Sequence, residues 1–352
     1  MLLVLGFAAL IWWGGGWMGV SRQARLTLLA ALFGVVLLAQ LILPVGHPVR
    51  VVTGGAPAPW LLLAGFAGIV ALYRRGLLAL RNRARAGDAP QSTPQPGGTF
   101  SATELDRYAR HIVLREIGGP GQKRMKQARI LVIGAGGLGA PALQYLAAAG
   151  IGTIGVIDDD VVENANLQRQ VIHRDADIGM PKVFSAQQAM LAQNPAVTVR
   201  PYHRRLTSEI AADLFAEYDL ILDGTDNFDT RYLSNATAVA AGKPLVSGAL
   251  SQWEGQLSVF DPAHSGPCYQ CIFPEAPAPG LAPSCAEAGV IGPLPGVVGA
   301  MMAVEAIKVV TDAGAPLRGQ MLIYDALYGE TRTIRLAPRA DCPVCGGKGR
   351  VG

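Results

Sequence analysis

Apolar positions are spread unevenly along the chain. Three nearly unbroken apolar runs precede residue 88, at 2–20, 26–45 and 57–73. Gly14-Gly15-Gly16 interrupts the first, and Gln40 is the one strongly polar member of the second. The third is close to the minimum of about 17 residues for a bilayer span. Residues 86–100 turn polar and rich in Pro, Gly, Ser and Thr, the pattern of a linker. Ser101 and Glu104 then have capping-box spacing and open an amphipathic stretch, which predicts a helix over 101–117. Ile130 to Ile133 is an apolar run of strand length. It leads into Gly134-Ala135-Gly136-Gly137-Leu138-Gly139, and a second apolar strand ends at Asp158. Strand, glycine turn, helix and a strand closed by a carboxylate predict a nucleotide-binding βαβ unit. A further strand, 218–223, runs into Gly224-Thr225-Asp226-Asn227, with a helix from about residue 228.

Charge divides the chain at the same place. Residues 1–87 hold eight Arg and no Lys, Asp or Glu, while the whole chain is +4, so residues 88–352 are −4. A mildly acidic main domain argues against a nucleic-acid surface. The arginines also orient the apolar runs. Arg22 and Arg25 lie between the first two, Arg50 between the second and third, and Arg74, Arg75, Arg81, Arg83 and Arg85 follow the third. The positive-inside rule puts the first loop and the C-terminal domain in the cytoplasm, with the chain anchored in the inner membrane. A cleaved signal peptide is the competing reading of run one, but it lacks a basic leader and two more runs follow.

The candidate chemistry sits around the glycine turn. Glycines let backbone N–H groups approach phosphate oxygens at a helix N-terminus. Asp158, 24 residues after Gly134, is placed to accept from ribose hydroxyls. These features do not separate NAD from ATP, since both present a ribose and phosphates. Asn166, Arg169 and Lys182 follow closely, and cations there suit phosphoryl or nucleotidyl transfer better than hydride transfer. Asp226 suits Mg²⁺ held against a triphosphate, and a helix N-cap is the alternative for the Asp226-Asn227 pair. Cys268-x-x-Cys271 and Cys342-x-x-Cys345 suggest a Cys₄ zinc site, with a redox dithiol as the alternative. Cys285 stands alone after a Pro-rich loop and is either a nucleophile or a small packed residue. Arg110, in RYARHI, reads by itself as part of a solvated helix face.

The string RYARHI, GAGGLG, DDD, NLQRQ, GMPKV, DGTDN, PLVSGAL, EGQLSVF, CYQC, SCAEAGV and CPVC, in that order, resembles the MoeB/ThiF/HesA family over residues 101–350. The resemblance implies an α/β fold: a Rossmann-like ATP-binding domain with a mixed sheet and a Cys₄ zinc knuckle. Two to three transmembrane helices, within residues 1–85, would precede it. It implies an adenylyltransferase that activates the C-terminal glycine of a small ubiquitin-like sulfur carrier, forming an acyl-adenylate and pyrophosphate. The carrier would be MoaD-like, for molybdenum cofactor biosynthesis, or alternatively ThiS-like, for thiamine. Gly134, Gly136, Gly137 and Gly139 would meet the nucleotide, and Asp158 the ribose. Asn166, Arg169, Lys182, Asp226 and Asn227 would surround the triphosphate and Mg²⁺. Arg110 would be lent to a partner subunit, which implies a homodimer. Cys268, Cys271, Cys342 and Cys345 would hold structural zinc, and Cys285 matches a cysteine that some members use covalently. The rhodanese-like domain of some members has no counterpart here, so a separate sulfur donor is expected. The anchor is an addition that the resemblance does not explain; tethering near a membrane-associated sulfur donor or molybdoenzyme assembly site is the expectation for it. The rival classes are an NAD-dependent oxidoreductase, which leaves the cation set unexplained, and a non-catalytic docking protein.

Overall fold

The computed structural model describes residues 2–87, 99–264, 266–278 and 288–346. The chain forms two compact units, 1–93 and 94–352. In the first, helix Leu2–Ala9 continues through a π-helical segment, Leu10–Gly14, into Gly15–Trp17. The glycines of the first apolar run make room for an arginine. A Cβ on Gly16 would lie 2.8 Å from Arg25 Nη1, which donates to the Trp12 carbonyl at 3.0 Å. The second run forms helix Arg22–Ile42, which starts earlier than expected because Ser21 caps it by accepting from Ala24 N. The third forms helix Ala58–Gly87, which runs well past residue 73. Its extension is mostly Arg, Leu and Ala, all strong helix formers, with Gly76 and Asn82 among them. Gln40 is buried and its amide nitrogen donates to the Arg50 carbonyl and Thr53 Oγ1, while its Oε1 has no partner among the described residues.

By length and composition, Arg22–Ile42 and Pro293–Thr311 are the described helices able to cross a membrane. The second of these is half-buried in the main unit, against the strands Leu245–Leu250 and Glu254–Phe260. Its uniform hydrophobicity is that of a core helix.

The main unit is built on an eight-stranded mixed sheet of order β3-β2-β1-β4-β5-β6-β7-β8. The strands are β1 Arg129–Ile133, β2 Thr153–Ile157, β3 Thr198–Tyr202, β4 Leu220–Asp223, β5 Leu245–Leu250, β6 Glu254–Phe260, β7 Gln320–Asp325 and β8 Glu330–Arg335. The first five run parallel, and β5 to β8 pair antiparallel. Strand β1 is buried on both faces, as its unbroken apolar run requires. Ile130 and Val132 pack with helices Gly139–Ala149, Lys182–Gln193 and Pro293–Thr311. Leu131 and Ile133 pack on the other side with Leu214, Phe215 and Ala238 of helices Ser208–Ala216 and Phe228–Ala241. The connection from β1 crosses to β2 on one side of it, and β4 lies on the other. A crevice therefore opens at the C-terminal ends of β1 and β4, where ligands bind in open α/β sheets.

The capping box at Ser101 forms as expected: Ser101 N donates to Glu104 Oε2 at 2.9 Å, and Glu104 N to Ser101 Oγ at 3.2 Å. The helix expected over 101–117 does not persist. It breaks into turns Ala102–Arg107 and Ala109–Ile112, and a new helix runs over Gly118–Gln127. Tyr108 at the break is buried, and its hydroxyl accepts from Asn194 Nδ2 at 2.8 Å. Its ring occupies the space over Gly150, where a Cβ would meet it at 2.4 Å.

The helix after β1 crosses the strand so closely that Gly139 tolerates no side chain: a Cβ there would lie 1.9 Å from the Gly134 carbonyl oxygen. Gly139→Ala is expected to cost about 3 kcal/mol of stability, the range for a forced core overlap. Chemical denaturation of the purified variant measures this, and an unchanged midpoint would contradict the crossing.

Candidate active site

A cavity of about 1080 Å³ occupies the crevice. Its floor is the glycine turn. Gly134 sits at φ +91°, a left-handed conformation that strongly favours glycine, and its N–H donates to the Ile157 carbonyl at 2.9 Å. Gly136 and Gly137 line the cavity. A Cβ on Gly137 would press on Pro295 at 3.1 Å, whereas one on Gly136 would meet no protein atom closer than 3.6 Å. The fold therefore does not itself demand glycine at 136. A side chain there would only fill space at the turn that a phosphate needs. Gly139 is buried and does not line the cavity, so its expected nucleotide contact is replaced by the packing role described above.

Asp158, Asp159 and Asp160 follow β2 along one wall. Asp158 is already engaged: Oδ2 accepts from Ala135 N at 2.7 Å and Oδ1 from Asp160 N at 2.8 Å. Each oxygen keeps a lone pair for a ribose hydroxyl. Lys182 begins its helix with a side chain 5% exposed, and its Nζ lies 2.7 Å from Asp160 Oδ2. Asp160 is the partner that lets an ammonium be buried there. Asn166 is buried, accepting from Gln170 Nε2 at 2.7 Å and donating to Glu163 Oε2 at 3.3 Å. Arg169 lines the cavity with a single bond, from Nη1 to the Ala165 carbonyl at 3.1 Å, and makes no ion pair among the described residues.

In the Asp226-Asn227 pair the N-cap falls on Asn227. Asn227 is the N-cap of helix Phe228–Ala241, its Oδ1 accepting from Thr230 N at 2.9 Å. Asp226 is exposed into the cavity and has no hydrogen bond or ion pair among the described residues. The sequence reading missed Arg231. Buried on that helix, it donates to Ser247 Oγ at 3.1 Å, to the Gly248 carbonyl at 2.7 Å and to the Thr225 carbonyl. It thereby fixes the loop carrying Asp226 against β5. Its burial alongside polar neighbours left no periodic signal in the sequence. Asp223 Oδ2, at the end of β4, is buried without a partner among the described residues. Arg204 and Arg205, also unforeseen, add exposed positive charge beyond β3.

The opposite wall leads to the cysteines. Cys268, Cys271, Cys342 and Cys345 are buried, with all four Sγ atoms within 4.8 Å of one another. The Cys268–Cys271, Cys268–Cys342 and Cys271–Cys345 Sγ separations are 3.8, 3.5 and 3.4 Å. A disulfide needs about 2.05 Å. Four thiolates around Zn²⁺ at about 2.3 Å stand roughly 3.8 Å apart. The cluster fits a tetrahedral metal and excludes both pairings as disulfides in this structure. Arg339 N donates to Cys271 Sγ at 3.4 Å, the kind of backbone bond that steadies a thiolate. Tyr269, next to Cys268, lines the cavity, and its backbone N–H donates to Asn235 Oδ1 at 2.8 Å. Burial pushes its phenol up to about 12, so the ring stays neutral. The rings of Tyr269 and Phe273 lie 4.8 Å apart, and Tyr232 Oη donates to the Phe273 carbonyl at 3.0 Å. The cysteine knuckle and the Asp226 helix are thus joined through one cavity wall.

Besides Gly139, one expected catalytic or nucleotide-binding residue among the described residues is not brought to the cavity. Arg110 is exposed and lines a separate hollow of about 460 Å³ with Tyr145, Met301 and Val304. Cys285 and its loop lie outside the described residues, as does nearly all of the expected linker.

A model of the ThiF family matches residues 108–344. A sulfur carrier protein adenylyltransferase from Thermus thermophilus is 53% identical over 70% of this chain and 93% of its own length. The SAMP-activating enzyme E1 of Haloferax volcanii is 49% identical over 70% and 91%. The probable adenylyltransferase/sulfurtransferase MoeZ of Mycobacterium tuberculosis is 52% identical over 71% of this chain, which spans 64% of that longer protein. Among solved structures, PaaA superposes with a TM-score of 0.60 at 22% identity, covering 74% of this chain and 82% of that one. MccB of E. coli with ATP gives 0.57 at 23%, covering 64% and 69%. Those two likenesses show a shared fold. The family model, the close full-length relatives and the crevice built on the glycine turn agree, and the chain belongs to the ThiF family.

Proposed function

We propose that this protein activates the C-terminal glycine of a small ubiquitin-like sulfur carrier by ATP-dependent adenylation. The observation that carries the reading is one cavity holding an open glycine cradle, the cations Arg169 and Lys182 and an unpartnered carboxylate. The relatives named as acting on sulfur carrier proteins support the choice of substrate. The carrier's terminal carboxylate is already ionised at neutral pH. Its oxygen attacks the α-phosphorus, and the bond from that phosphorus to the β-bridging oxygen breaks to release pyrophosphate. No proton needs to move, so the protein's task is alignment and charge stabilisation. Gly136 and Gly137 cradle the phosphates, Asp158 meets the ribose, and Arg169 and Lys182 offset charge on the phosphates. Asp226, free of other partners, would hold Mg²⁺, which when bound neutralises charge on the leaving pyrophosphate. Asn227 serves this arrangement as the cap that places Asp226.

Arg110 reaches no phosphate in its own chain, so its role in the reaction requires a second copy. Exposed Tyr145 and Val304 beside it supply apolar surface for a homodimer. The four-cysteine cluster holds Zn²⁺ as a structural ion. In the N-terminal unit, Trp17, Leu62 and Leu72 are 95%, 76% and 75% exposed, a surface that water penalises and lipid accepts. The proposal is therefore a membrane-anchored enzyme with its active domain in the cytoplasm. Its carrier belongs to molybdenum cofactor synthesis.

Carrier-dependent ATP–pyrophosphate exchange by the full-length protein in detergent tests the reaction. Exchange is expected with one ubiquitin-like carrier of the same genome and is expected to fall at least about 100-fold in Asp226→Ala. Exchange surviving at the wild-type rate in that variant would remove Asp226 from the site. Stripping the metal with a strong chelator is expected to release one zinc per chain and to lower the unfolding temperature of the cytoplasmic domain. A domain equally stable without metal would overturn the structural ion. Membrane fractions should hold the full chain after washing at high salt, whereas recovery in the soluble fraction would contradict the anchor.

A further inference from the structure

Ala135 is the buried second residue of the glycine turn, and both of its backbone polar groups are held from outside any helix or strand. Its N–H donates to Asp158 Oδ2 at 2.7 Å, and its carbonyl lies 2.9 Å from His173 Nε2. Only one nitrogen of the buried His173 ring is spent on this contact. Nδ1 lies 2.9 Å from Ser185 Oγ, which is 2.7 Å from Asp177 Oδ2. Ser185 belongs to helix Lys182–Gln193, whose first residue is the buried lysine of the cavity. A continuous polar chain therefore links the floor of the cavity to the helix that carries its ammonium.

We propose that His173 is a positioning residue for nucleotide binding: through Ala135 it fixes the glycine turn whose N–H groups meet the phosphates, and Ser185, tied to Asp177, braces the ring from its other nitrogen. The inference rests on the nucleotide reading of the cavity.

The proton accounting supports it. The Ala135 carbonyl can only accept, so Nε2 must carry the hydrogen. Burial lowers the ring's pKa from its ordinary value. The bond to the Ala135 carbonyl raises it, Lys182 lowers it, and Asp158 and Asp177 raise it. The net shift is downward. Asp177, a carboxylate, can only accept, so the Ser185 hydroxyl donates to Asp177 Oδ2, and the two together brace the ring at its second nitrogen. The sequence carries no hint of this, because nothing in VIHRD separates a positioning histidine from an ordinary buried one.

The test compares His173→Gln, which keeps one side-chain donor, with His173→Leu, which keeps none, and with Ser185→Ala, all in the full-length protein at pH 7. Hydrogen–deuterium exchange without nucleotide reads the turn directly. Amides 134–137 should exchange about tenfold faster in His173→Leu, the worth of one hydrogen bond, with β1 unchanged. Mg·ATP affinity by calorimetry should fall about tenfold in His173→Leu, less in Ser185→Ala, and by no more than about threefold in His173→Gln. In the exchange reaction the loss should fall on KM for ATP, with kcat preserved. If His173→Leu proves unfolded, the contrast of His173→Gln and Ser185→Ala with wild type decides, and wild-type affinity in Ser185→Ala overturns the bracing role of Ser185. A turn protected at the wild-type level in folded His173→Leu overturns the positioning role, as does a His173→Gln protein no better than His173→Leu. Wild-type protein that binds no ATP overturns the nucleotide reading instead, while the exchange of amides 134–137 still decides the clamp.

Discussion

The close crossing of backbone at the end of β1 is the constraint from which the site follows. The Gly134 carbonyl and Gly139 approach so nearly that the helix after the turn can pack flat on the sheet only if residue 139 has no side chain. That crossing sets where helix Gly139–Ala149 begins, and with it where the free N–H groups of the turn point. Gly134 in its left-handed conformation turns the chain, and Asp158 at the end of the neighbouring strand ties the turn back to the sheet. Because β4 lies on the far side of β1, the crevice above the turn is also bounded by Asp226 and by the loop that Arg231 braces. Geometry at one strand end thus places phosphate donors, cations and a free carboxylate around a single volume.

Charge in this volume is arranged by degree of engagement. Lys182 is buried but paired with Asp160, whereas Arg169 and Asp226 keep their charges uncommitted by any ion pair among the described residues. A site for an anionic substrate with a divalent cation needs both signs available and close, without mutual neutralisation. The capping of the helix by Asn227 keeps its neighbour Asp226 available. On the opposite wall, Tyr269 couples the four-cysteine cluster to the helix behind Asp226 through Asn235. The four-cysteine cluster therefore has a structural route to the cavity lining.

Much of this was legible in the sequence, for identifiable reasons. The βαβ unit announced itself because β1 and β2 are buried on both faces and a glycine turn separates them. The cysteines announced themselves by spacing, despite the 70 residues between the pairs. What stayed hidden has a common cause: roles set by tertiary contacts between residues far apart in sequence. Tyr108 breaks an otherwise amphipathic helix because its ring is needed over Gly150. Arg231 and His173 act through backbone carbonyls on other segments, which leave no motif. Gly139 belongs to the nucleotide fingerprint but serves packing. Asp226 and Asn227 looked interchangeable until the cap assigned one of them. The helix Pro293–Thr311 went unread because an apolar helix packed in a core lacks the amphipathic period that marks a surface helix.

The central claim is that this cavity transfers an adenylyl group to a carrier's terminal carboxylate. The most direct measurement is the intact mass of the carrier after incubation with the full-length protein and Mg·ATP, with no sulfur donor present. The account predicts a carrier that gains one adenylyl group on its C-terminal glycine and loses it on treatment with hydroxylamine, with pyrophosphate as the coproduct. An unmodified carrier, with ATP converted to ADP and phosphate, would contradict it.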